Sequence, residues 1–471
     1  MSMNDTYAVV GAPDARLYDA EIEGFVNGAG AAYVFKRDGA AWVFQQRLVA
    51  PKIILSQMGS AVSIDPETSD IVVGAWAYNG RGVFSGAAFY FKKGTGDTWG
   101  VAETSSSLGN KTRMPSQNLI PADLVMIDEF GFSVAIRNGT IVAGTPLSGG
   151  SNAGAVYVYE NTGDVWVQTQ KLVDESGGAN DQLGTRVALD GNLLVCGVQN
   201  DDVQGKVNAG SALIFKRTAL GSPFALVTKL TAATPVSGAQ FGASVAVRDG
   251  TGAQPDYLAL GSPTLVTGSP TAAAGNGAVF MYRRSDGDLW VEDGTLLPRA
   301  VNINNNFGYS VAMTQTDPPE VLVGAPGYDT VVPGLVDPLE LVQVVNAGTG
   351  FTLVRTDGAW DFRRVGDTST DLWTPDIRTL NTSIGRSVAI APTAGNVALV
   401  GAETPSGSDG TVFGFTFGLS VLGTDDGQVP GPVGGVLPGS GGGSGGGSGG
   451  IGSGGTGGGI TGGGAPGAAS D

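Results

Sequence analysis

An all-β chain, made of equivalent four-stranded sheets set around a ring and followed by a glycine-rich tail, is the fold the sequence predicts. Three observations predict it. A short apolar run ending in glycine recurs seven times, at Gly11, Gly74, Gly144, Gly197, Gly261, Gly324 and Gly401. Each run keeps similar company on either side, spaced so that one copy follows the last after 53 to 77 residues. No stretch sustains a 3.6-residue apolar period, so helices have no support.

The elements of a unit follow in order. Six copies are preceded by a second motif: MGSAVSI, FGFSVAI, LGTRVAL, FGASVAV, FGYSVAM and IGRSVAI. They are followed by a third, as in GAAYVFKRDGAAW, GAVYVYENTGDVW and GAVFMYRRSDGDLW. A tryptophan (Trp42, Trp99, Trp166, Trp290, Trp360) closes most units, often before a stretch such as QQRL or TQKL. Each unit therefore reads as four short strands punctuated by Gly, Asn and Asp turns. One such sheet cannot cover both its faces, and its neighbours must do so. Repeated radially, four-stranded units are the blades of a β-propeller, and seven copies imply seven blades.

The motif FG.SVA, then VGAP, then GAVYVF resembles the FG-GAP repeat of the integrin α-subunit head and of many microbial surface proteins, over residues 7–422. The resemblance implies a seven-bladed propeller that mediates adhesion or ligand binding through loops on one face. It also implies calcium in the hairpin between the FG and GAP strands. The residues argue against that ion here. Asn138-Gly139 and Asp190-Gly191 read as two-residue turns, too short to wrap a cation taking six to eight oxygens. The remaining metal candidates, Asp65, Glu67 and Asp70, do not match the family's pattern. No cofactor is expected.

The chain starts inside a unit, with no FG.SV strand ahead of Gly11, while FGLSVL stands at 417–422 near the other end. That segment either closes the ring by completing the first blade or forms the outer strand of the seventh. The propeller is expected over residues 1–423. Residues 424–471 form the glycine- and serine-rich tail, a flexible spacer or an assembly element that attaches the propeller to something larger.

Composition narrows the function. With 43 acidic and 26 basic side chains the net charge is −17, which disfavours nucleic acid and anionic membranes as partners. There is no histidine and one cysteine, Cys196, so His-based catalytic pairs, Cys-based zinc sites and internal disulfides are excluded. Acid–base chemistry would fall to Asp, Glu, Tyr or Lys, for instance a carboxylate pair in the central channel, and the expectation is a protein that is not an enzyme. No secretory signal is visible at MSMNDTYAVVGAP and no apolar run is long enough to span a bilayer. The expected function is recognition of a protein or carbohydrate, outside a cell or at its surface. The alternative is a structural component of a virus particle or surface fibre, with the tail as assembly element.

The expected ligand contacts lie in the loops between the GAP strand and the GAVYVF strand. They are Arg16, Tyr18 and Asp19 in the first unit, Trp76, Tyr78, Asn79 and Arg81 in the second, Asn200, Asp201 and Asp202 in the fourth, and Tyr328 and Asp329 in the sixth. Rings beside amides and carboxylates suit recognition because rings stack while polar groups orient. A further insertion, SSSLGNKTRMPSQNLIPADLVM, is expected to decorate the same face.

Overall fold

The computed structural model describes residues 1–19, 22–39, 41–52, 54–102, 111–163, 165–250, 254–266, 275–285, 289–298, 304–328, 330–333, 341–344, 348–362, 383–393, 397–403, 410–416 and 435–437. The chain divides into two units, Met1–Gly441 and Gly442–Asp471, and all described residues belong to the first.

Those residues form seven main sheets. The innermost strands are Ser2–Met3, Ala61–Ile64, Ser133–Arg137, Arg186–Asp190, Ser244–Arg248, Ser310–Met313 and Ser387–Ile390. Each of these packs against the next, and the seventh packs against the first. The ring is closed, and the fold is a seven-bladed β-propeller. Apolar clusters lie at the blade junctions; Ile141, Ala143 and Tyr157 of the third blade, for example, pack on Val72, Ala88 and Tyr90 of the second.

The recurring motifs are the parts of one repeated joint. In the third blade a Cβ on Gly144 would fall 1.9 Å from the carbonyl oxygen of Gly184, the FG-type glycine of the fourth. Only glycine permits so close a backbone approach. The same approach, 1.9–2.2 Å, recurs at Gly11, Gly74, Gly197, Gly261 and Gly324. The motif serine completes the joint: the hydroxyls of Ser133, Ser244 and Ser310 donate to the carbonyls of Gly184, Gly308 and Gly385 at 2.7–2.8 Å. The leading residue of each motif (Met58, Phe130, Leu183, Phe241, Phe307, Ile384) is buried, each contributing roughly 1.5–3 kcal/mol by leaving water.

The closing tryptophans have a partner in the preceding outer strand. The Gln117 amide brackets the Trp166 backbone (Oε1 from N 2.9 Å, Nε2 to O 2.8 Å). Gln170 does the same to Phe224, and Gln46 accepts from the Trp99 N–H.

Three features differ from expectation. Ser2–Met3 pairs with Tyr7–Ala12 and supplies the innermost strand of the first blade, a place that no FG.SV motif fills. Met1 stands opposite Gly401 where the other joints have a glycine. Residues 417–422 lie outside the described residues. The insertion after the second unit does not simply decorate a loop face. Its segment Thr112–Met114 adds in parallel to the outer strand Ala41–Leu48 of the first blade, and Val101–Ala102 adds to that. Gln117–Leu119 then returns as the outer strand of the second blade. Finally, the outer strand of the seventh sheet is Gly435–Leu437, drawn from the glycine-rich stretch.

Candidate ligand-binding face

An antiparallel blade has two ends. One carries the hairpins joining the inner to the second strand; the other carries the loops leading to the third strand and on to the next blade. The two ends are built for different work.

At the hairpin end a polar link spans every junction in turn. The Asn4 amide donates to Ser69 Oγ (2.9 Å), and Asn138 N to Asp65 Oδ2 (2.9 Å). Arg137 pairs with Asp190 (2.9 Å), and Asp249 N donates to Asp190 Oδ2 (2.7 Å). Arg248 reaches Asp317 (3.4 Å), Gln315 N donates to Pro392 O (2.7 Å), and Thr393 Oγ1 donates to Asp5. The expected metal candidates are engaged at this end, Asp65 and Glu67 in the circuit and Asp70 within its own blade. Asp65 caps its own turn through the N–H groups of Glu67 and Thr68 besides holding Asn138. Glu67 pairs with Arg137 at 3.1 Å, and its carboxyl is raised by burial, with Arg137 opposing. Asp70 accepts from Tyr90 Oη (2.8 Å) and Lys93 N (2.7 Å). Among the described residues no three potential ligands are grouped to hold a metal ion. Asn138 and Gly139 form the expected two-residue turn, both at positive φ (47° and 72°). In the fourth blade the turn is Gly191-Asn192 rather than Asp190-Gly191, because Asp190 pairs with Leu193 and its carboxylate is buried in the circuit.

The axial cavity, about 250 Å³, is lined by the inner strands. Asp190 is the one carboxylate among its lining residues, and Arg137 neutralises it. The channel therefore presents no pair of carboxylates among the described residues.

At the loop end the expected contacts separate into two groups. Arg16 and Tyr18 are exposed on the hairpin formed by Leu17–Asp19 and Gly24–Val26. Phe25 organises them, with the Tyr18 ring edge-on at 5.4 Å and the Arg16 guanidinium 4.8 Å from its centre. Asp19 pairs with Gly24 in the hairpin register. Trp76 is half-buried, 6.2 Å from Phe84. Asn79 and Arg81 are exposed, Asn79 accepting from Phe84 N at 3.0 Å. Asp202 is exposed and holds Asn208 N (2.8 Å), while Asn200 bonds Gln182 (2.7 Å).

Three others are interior residues and cannot meet a ligand at the surface. Tyr78 packs edge-on against Phe89 (5.2 Å), and its phenol is raised by burial. Tyr328 repeats this against Phe351 (5.3 Å). Asp201 is buried between Ser211 and Lys229 (2.6 Å). Asp329 lies outside the described residues. The sequence reading missed the exposed apolar residues of this face: Ile22, Phe25, Val83 and the run Val125–Met126–Ile127. Their signal was available: Leu124 to Ile127 is apolar where sister connections carry Gly, Asn and Asp.

The FG-GAP repeat family matches at residues 115–159 and 166–215, which span the third blade and most of the fourth. No curated protein matches the chain. Among the described residues no helix is long and apolar enough to cross a membrane.

Proposed function

Starting from FG-GAP repeats folded as a seven-bladed β-propeller, a binding or adhesion type of domain, we propose that this chain is a non-catalytic recognition module displayed outside a cell. It holds a protein or glycan ligand on its loop face. One observation carries the reading: at the hairpin end polar groups join neighbouring blades at every junction, whereas the loop end leaves Arg16, Tyr18, Phe25, Asn79 and Arg81 exposed. Exposed rings flanked by a guanidinium or amide are what a recognition surface needs. Extracellular display accords with where FG-GAP repeats typically occur, and the glycine-rich stretch beyond Gly441 is the attachment to a cell surface or larger assembly.

The test is binding of the full chain to glycan and protein arrays. Hits should be lost on Phe25→Ser, an exposed position, and kept on Asp38→Asn, an exposed position at the hairpin end. The reverse pattern refutes the reading.

A further inference from the structure

The connection from the second to the third blade departs from its sisters in one respect. Three residues before the FG-type glycine's aromatic or aliphatic neighbour, the chain turns through positive φ at Asn180 (66°), Gly238 (73°) and Asn304 (66°), and here at Ile127 (70°). The facing loop does likewise at Gly28 (63°), Asn152 (57°) and Asn208 (51°), and here at Phe84 (53°). Hydrogen bonds prove the correspondence. Ile127 N donates to Val83 O as Asn180 N does to Ser151 O and Gly238 N to Val207 O. Glu129 N donates to Phe84 O as Gln182 N does to Asn152 O and Gln240 N to Asn208 O.

Glycine and asparagine suit this backbone; phenylalanine does so poorly and β-branched isoleucine worse. In the next connection Asn152 and Asn180 hydrogen-bond each other (3.1 Å). At this one the polar pair is replaced by Phe84 and Ile127, and the surroundings are apolar too. Val83 is 50 % exposed, Val125 62 %, Met126 61 % and Ile127 49 %. Met126 lies against Gly82, and Phe84 against Trp76. Arg81 borders the patch, exposed, and forms no ion pair among the described residues in a chain of net charge −17. Folding alone favours none of this. Strained backbone combined with uncovered apolar surface is the pattern of a site whose cover comes from outside.

We propose that this patch docks a segment of another protein that presents apolar side chains beside a carboxylate. The proposal rests on the loop-face reading and specifies its ligand. A sugar would need hydrogen-bonding groups, but Val83, Val125, Met126 and Ile127 have no polar side-chain atoms and the Asn79 carbonyl is taken by Phe84 N. Arg81 supplies a planar donor pair that matches a carboxylate. The acidic remainder of the surface repels such a segment elsewhere and directs it here.

The full chain is panned against a displayed library of random dodecapeptides, and enriched peptides are synthesised for titration by fluorescence anisotropy. The expected peptides combine bulky apolar residues with Asp or Glu, and Met126→Glu weakens them by about tenfold or more. Arg81→Glu weakens them as well, and changing the peptide's acid to lysine restores binding to that variant. Phe84→Asn, which installs the residue of the sister loops, weakens binding while leaving the thermal midpoint equal or higher; this separates docking from folding. Enriched peptides without acid, undiminished binding to Met126→Glu, or no enrichment at all each overturn the proposal. Array hits that survive Met126→Glu but fail with Phe25→Ser leave the loop-face reading standing and remove only this one. Hits that map to the hairpin end remove both.

Discussion

Replacing Gly144 by alanine tests the joint between blades. The added Cβ would stand 1.9 Å from Gly184 O, 2.8 Å from Gly184 C and 2.5 Å from Ser133 Oγ. Two of these atoms are backbone, so no side-chain rotation relieves the clash. The third and fourth blades must separate by roughly 1 Å or more to restore ordinary contact, in a core packed as densely as a crystal. Overpacking of that kind costs about 1–3 kcal/mol. The bond from Ser133 to Gly184 (2.7 Å) stretches at the same time, at a cost of about 1 kcal/mol. Against this, alanine reduces the freedom of the unfolded chain and returns about 0.4–1 kcal/mol. The balance is a loss of about 1–3.5 kcal/mol. Gly150→Ala is the control, since nothing lies within 4 Å of its Cβ and its φ is not positive; it should be neutral or slightly stabilising. Denaturant unfolding of the full chain, followed by tryptophan fluorescence, reads both. If Gly144→Ala unfolds within about 0.5 kcal/mol of the parent, backbone contact is not why glycine stands at the joint.

Two further outcomes are expected. Truncation after Gly441 should leave the thermal midpoint within about 1 °C, whereas truncation after Gly423 also removes the outer strand Gly435–Leu437 of the seventh sheet and should lower it clearly; equal melting would deny that strand a role. On pH, burial raises the carboxyls of Asp128, Glu160, Asp181, Asp190 and Asp256, so their favourable contribution is full below the ordinary carboxylate range and fades as pH climbs through their folded values. Bonds from Tyr7 and Lys36 lower Asp97, whose contribution is present above 3.8 and is lost as pH falls through its folded value. Thermal midpoints scanned from pH 3 to 8 should therefore rise on mild acidification and fall below about pH 4; a steady decline from pH 8 downward contradicts this.

The ring was legible because its joints repeat. A glycine needed for backbone approach, a serine bonding the next carbonyl and a buried FG residue recur at fixed offsets, and short apolar strands buried on both faces separate them. The first inner strand was hidden because Ser2–Met3 is two residues long, lacks the motif glycine, and sets Ser2 opposite Val9 instead of opposite the GAP-type glycine as Ser133 stands opposite Gly144, Met1 taking the glycine's place. The outer strand of the second blade was hidden because the chain detours to the first blade between Trp99 and Gln117, so proximity in sequence to the tryptophan misled. Loop side chains were the hardest. Tyr78 and Tyr18 look alike in sequence; what buries one is Phe89 in its own blade and what exposes the other is a projecting hairpin. The repeat did hold a clue, since Ala75–Tyr78 and Ala325–Tyr328 share one spacing and each tyrosine meets the third-strand phenylalanine of its own blade.

The excursion of Thr112–Met114 across the rim of the first blade ties two neighbouring sheets with a single stretch of chain. At the later junctions neighbouring blades share side-chain contacts and isolated backbone bonds such as Asn180 N to Ser151 O, so a blade there can loosen, as opening fluctuations in repeat arrays do, without its neighbour losing a paired strand. The first two cannot, since freeing one strips hydrogen bonds from the other. Amide exchange should accordingly sort this molecule into unequal partners, with the amino-terminal pair opening as one body and the later blades individually.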